Sequence, residues 1–131
     1  MWAGIMNIKR RITAVVAAMC LLSAPLAFAH HGVSDYDTTK VVSWQVTVTD
    51  FMFANPHSLL NFTRKNEQGQ VEDWQGELQS PSMLARRGHW TKDTVKAGDQ
   101  ITVFGCLARN GSKTMLVRKI VLANGDEYPG G

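Results

Sequence analysis

Histidine is the side chain here with the widest chemical reach, because its imidazole both binds metals and moves protons near neutral pH. The chain has four: His30, His31, His57 and His89. The first two follow Ala29 directly, at the point where an export leader would be cut. A mature chain beginning His-His could chelate one metal ion through its free α-amine and the ring Nδ1 of His30. Alternatively, the ring of His31 could join its own deprotonated amide and the α-amine. Both arrangements hold nitrogens in a plane, which suits copper(II). An α-amine titrates at about pH 8, so giving its proton up to a metal costs little. The bland alternative is two solvated polar residues after a cleavage site.

His57 lies in Asn55-Pro56-His57-Ser58, a turn-forming connection between two expected strands. It could add a third nitrogen, giving His30, His31 and His57 as candidate metal ligands. Asp35, Tyr36 and Asp37 offer oxygens nearby, and Met52 offers a thioether suited to copper(I). His89 follows Gly88 at the end of an expected helix, where capping or dipole compensation explains it. Catalytic constellations are missing. Ser58 adjoins His57, but neighbouring residues in a strand point their side chains apart. Glu77 and the aspartates are scattered without visible pairing, and there is no phosphate loop or nucleophile elbow. The chain reads as a non-enzyme.

The amino terminus explains why the first two histidines matter. Lys9, Arg10 and Arg11 precede an uncharged apolar run from Ile12 to Phe28, and Ala27-Phe28-Ala29 supplies a small-residue cleavage site. The run is shorter than the roughly twenty apolar residues of a membrane helix. Met19 before Cys20 argues against a lipid anchor. Residues 1–29 are thus expected to be a cleaved Sec-type signal peptide, with a periplasmic or secreted product and no transmembrane anchor. Three of the 14 basic residues lie in that leader, and none of the 11 acidic ones do, so the mature chain is near neutral. Nucleic-acid binding is disfavoured on that count. Cys106 is the one mature cysteine and sits in the apolar run Ile101–Leu107, as a small buried hydrophobe would.

These residues must be positioned by the mature chain, which divides into an arm at 30–40, one domain at 41–128 and a tail at 129–131. Val42, Trp44, Val46 and Val48 alternate with polar residues, as a half-buried strand requires. Phe51-Met52-Phe53 breaks the alternation, as either a small contact patch or a stretch covered on both faces. Strands are expected at Ser58–Lys65 and Val71–Leu78 about the Asn66–Gly69 turn. A helix follows, with Ser80 as N-cap, Pro81 at its first position, Arg86 and Arg87 in its last turn, and Gly88 as its left-handed terminator. Further strands are expected at Gln100–Ala108 and Thr114–Leu122, joined at Asn110-Gly111. Asn124-Gly125 turns the chain once more. Trp44 and Trp74 are expected in the core. Three strands, a helix and two strands make an all-β fold with one short helix, in the order of a small five-stranded OB-like barrel.

Ala29-His30-His31, Tyr36-Asp37, Asn55-Pro56-His57-Ser58, Ser80-Pro81, Arg87-Gly88 with Trp90, and Lys96-Ala97-Gly98-Asp99 together resemble a family of small exported bacterial proteins of unknown function. The resemblance implies export and a compact β-rich fold, without an activity. Members often carry Ser and an aromatic residue after the His pair, where this chain has Gly32-Val33. Should that aromatic pack the arm onto the barrel, the arm is expected to be looser here. The copper idea is also similar to small periplasmic OB-type copper carriers, by fold and compartment alone. The leading reading is a periplasmic binding module that takes a metal ion, copper, or a periplasmic protein partner. A metal-free protein- or saccharide-binding barrel using Phe51–Phe53 is the second reading. A copper-dependent redox enzyme is the third and the least favoured.

Overall fold

The computed structural model describes residues 32–131. The expected leader, its cleavage site, His30 and His31 lie outside the described residues. Within them the order is a 3-10 turn at Val33–Asp35, then β1 (Val42–Met52), β2 (Leu59–Lys65) and β3 (Val71–Glu77). Helix α1 (Pro81–Gly88) follows, then β4 (Gln100–Leu107), β5 (Thr114–Val121) and β6 (Glu127–Pro129). Antiparallel pairing runs β3-β2-β1-β4-β5-β6, and a parallel pairing of β3 with β5 closes the first five strands into a barrel. This is the OB-like order, with α1 between β3 and β4. Among the described residues, no helix is long and apolar enough to cross a membrane.

Strand alternation produces the core directly. Val46, Val48, Leu60, Phe62, Ile101, Val103, Met115, Val117 and Ile120 face inward and are almost fully buried. Phe51 and Phe53 pack against this core while Met52, between them, is 48% exposed. The aromatic run therefore keeps the strand period, and its outer face carries a single methionine. Trp44 and Trp74 are only half-buried, meeting edge to face at 4.7 Å. The Arg64 guanidinium lies 3.9 Å over the Trp44 ring. The Trp74 indole N–H donates to Glu72 and holds its carboxyl below the usual range.

One expectation about the helix needs correction. The helix does not end on a left-handed glycine: His89 takes that conformation, at φ 56° and ψ 28°, and its N–H bonds the Ala85 carbonyl. Gly88 is needed for space instead, because a Cβ there would lie 2.7 Å from Pro129 Cδ. Ser80 occupies the N-cap position without a side-chain cap, and its backbone carbonyl receives the Met83 and Leu84 N–H groups. Residues 129–131 are held against the barrel. Pro129 ends β6, which pairs with β5, and Gly130 is buried between the Arg118 carbonyl and the Gln79 N–H. Trp90, 1% exposed, joins this segment to the core by donating its indole N–H to the Pro129 carbonyl.

The arm is docked at Asp35, Tyr36 and Asp37. Tyr36 bridges to Ala108, with Asp37 N–H on the Leu107 carbonyl and Arg109 N–H on the Asp35 carbonyl. Tyr36 is 3% exposed, whereas Val33 is 61% exposed. The tyrosine supplies the anchor, and nothing is asked of Val33. Cys106 is fully buried, as expected, but belongs to the outer side of β4. Its neighbour Leu107 packs on the core, so alternation turns Cys106 to the same face as Ala108 and Tyr36.

Candidate functional site

Chemistry-bearing groups converge where β3 ends. The β2–β3 register sets Leu59 opposite Glu77, which brings the connection just before β2 alongside the end of β3. The Ser58 N–H bonds the Gln79 carbonyl, and the Leu78 N–H bonds the Ser58 carbonyl, so the backbone on either side of His57 and Glu77 is fixed. The Asn55–Pro56 peptide within this connection is cis.

His57 Nδ1 lies 3.2 Å from the Leu78 carbonyl oxygen and 3.4 Å from Glu77 Oε1. A carbonyl can only accept, so the first contact is a hydrogen bond only when Nδ1 carries the proton. In the neutral ring, that leaves the Nε2 lone pair unprotonated. The side chain is 44% exposed, whereas Glu77 is 16% exposed. The other carboxylate oxygen of Glu77, Oε2, accepts from the Tyr36 hydroxyl at 2.8 Å. One carboxylate thus orients the imidazole and anchors the arm.

Burial and then the Glu77 hydrogen bond and charge push the Tyr36 hydroxyl up to about 12, against an opposing hydrogen bond with Thr114. The unfolded tyrosine ionises near pH 10. Between those values the unfolded chain releases its proton first, so stability is intact below pH 10 and falls as pH rises toward 12. The expected loss is on the order of 2 kcal/mol. Urea melts at pH 9 and pH 11.5 would measure it, with Tyr36→Phe as control. A variant with the same pH dependence as the parent would show that Tyr36 is not responsible.

Of the sequence-derived site residues, only His57 can be placed, because His30 and His31 lie outside the described residues. No cluster of three or more His, Cys, Asp or Glu side chains with metal-holding geometry occurs among the described residues. Asp37 does not join His57: its carboxylate accepts from Thr39 at 2.6 Å and lies 3.9 Å from Arg109, and the Thr39 contact chiefly lowers its pKa. Tyr36 is committed to Glu77. His89 is at the helix end, where its backbone does the capping. Ser58 Oγ is buried without a hydrogen-bond partner, and His57 turns its Nδ1 to Leu78 instead, so no nucleophile–base pair forms. Glu77 reads as unpaired in the sequence, although its position is available from the strand register. Counting back from the Asn66–Gly69 turn sets it opposite Leu59, beside His57.

Comparison with curated proteins finds no match, and neither does comparison with solved structures. One family does match, over residues 18–118, a span that contains the arm, His57 and Glu77. The chain belongs to that family, DUF6152, a family of unknown function.

Proposed function

We propose that the protein is an exported, non-enzymatic metal-binding module in which His57 Nε2 is a preoriented ligand for copper and the arm brings His30 and His31 to it. The observation that carries this reading is the orientation of His57, with Nδ1 on the Leu78 carbonyl beside the Glu77 carboxylate. Metal-binding histidines characteristically give their second ring nitrogen to such a carbonyl or carboxylate, which fixes the tautomer and raises the basicity of the ligating nitrogen. The Tyr36 anchor supports the rest. It holds the arm to the same carboxylate. Copper suits a set of imidazole and amine nitrogens better than hard divalent cations do.

The test is a copper(II) titration of chain cleaved after Ala29, followed by calorimetry and electron spin resonance. Tight binding of one ion is expected, weakened about ten-fold or more by one residue added before His30, and likewise by His57→Ala. Binding that ignores both changes would return the histidines to solvent. Loss on extension without loss in His57→Ala would confine the site to the terminus and remove the barrel from it.

A further inference from the structure

We infer that the cleft between β1 and β2 is a strand-addition site for an extended peptide bearing carboxylates. The β1–β2 pairing begins at Thr47 and Thr63, while β1 continues back to Val42 beside β4, and Arg64 and Lys65 of β2 continue beside β3. The two strands therefore diverge, and a groove of about 770 Å³ opens there.

One wall of that groove is an unpaired strand edge. The Val48 N–H bonds the Asp99 carbonyl, and its carbonyl accepts from the Gly98 N–H, so Val48 turns its backbone groups toward the β4 side. Pairing with β4 is regular from Val42 to Thr47. Alternation then directs the backbone N–H and C=O of Ser43 and Gln45 the opposite way, toward the groove. Among the described residues, no strand pairs with them. Such an edge is a template for another strand.

Chemistry selects the occupant. Arg64 and Lys65 line the groove with Thr47, Thr63, Thr102 and other neutral residues, and no acidic side chain does. Arg64 lies over Trp44, itself against Trp74, on the inward face of β2, so alternation turns Lys65 outward. An occupant satisfies the Ser43 and Gln45 backbone with its own backbone and Lys65 with a carboxylate. A free backbone edge favours a peptide over an anionic polysaccharide, which cannot continue a sheet.

The probe is a capped peptide of alternating valine and glutamate, titrated into the isotope-labelled chain cleaved after Ala29 and followed by amide resonances and tryptophan fluorescence. The Ser43 and Gln45 amides should exchange quickly in the free protein and become protected on binding. N-methylation of every valine or of every glutamate should differ sharply, since only one set of amides faces β1; one set should weaken binding about ten-fold or more. A valine–lysine peptide should not bind, and Lys65→Glu should cost the acidic peptide about ten-fold. Several results would overturn the site: no binding at millimolar peptide, equal effects of the two methylations, or equal binding of polygalacturonate. The methylated peptides test the site even if the variant unfolds.

Discussion

Glu77→Gln should weaken copper binding by about 10- to 100-fold while leaving the barrel folded. The glutamate holds the Tyr36 hydroxyl at 2.8 Å through one oxygen and lies 3.4 Å from His57 Nδ1 through the other. Glutamine keeps the shape and can still accept from Tyr36 through its single carbonyl oxygen. Its amide must then present N–H donors to His57, where they favour a proton-free Nδ1 and so shift the proton onto Nε2. That tautomer has no lone pair at Nε2, the nitrogen proposed to hold the metal. Glu77→Ala should do more, because it also leaves the buried Tyr36 hydroxyl without its acceptor, at about 1–3 kcal/mol. Calorimetric affinity would be read together with nitrogen-15 shifts of the His57 ring. Unchanged affinity and an unchanged tautomer in Glu77→Gln would leave Glu77 as an arm anchor only.

Trp90→Ala should destabilise the domain by about 3–5 kcal/mol, a large part of the roughly 5–15 kcal/mol that a domain of this size has. Trp90 is among the largest fully buried side chains, tilted against Phe51 at 5.5 Å and edge to face with Tyr128 at 5.4 Å. Its removal opens a cavity between β1, β6 and the segment following α1, and strips the Pro129 carbonyl of its donor. Trp90→Phe keeps most of the volume and loses the hydrogen bond, so a smaller cost, of roughly 1–2 kcal/mol, is expected. Urea denaturation of both variants would separate packing from hydrogen bonding. An alanine variant losing under about 1 kcal/mol would show that the neighbouring aromatics close over the gap.

The barrel was legible because its strands alternate and its turns carry specific glycines. Gly69, Gly111 and Gly125 all sit at positive φ, at the turns their neighbours announced. Sequence failed where a residue's role depends on a partner distant in the chain. Gly88 resembles a helix terminator, and only the approach of Pro129 reveals a spacing requirement instead. Glycine–proline 88/129 proximity leaves no local pattern. Tyr36 stands among polar residues and has no periodic neighbours, so nothing nearby predicts its burial. Glu77 looked isolated because its two partners belong to the arm and to the connection before β2. The half-burial of Trp44 and Trp74 follows from Arg64, a charged residue on the inward face of β2, which alternation alone would have made apolar.

The docked arm also imposes an order on folding. Tyr36 comes first in sequence, yet its berth is made of Ala108, Thr114 and Glu77, the last of these 41 residues away. Closing so long a loop is entropically costly, and the contacts that compensate exist only after β3, β4 and β5 have met. The arm is therefore among the last segments to reach its native place.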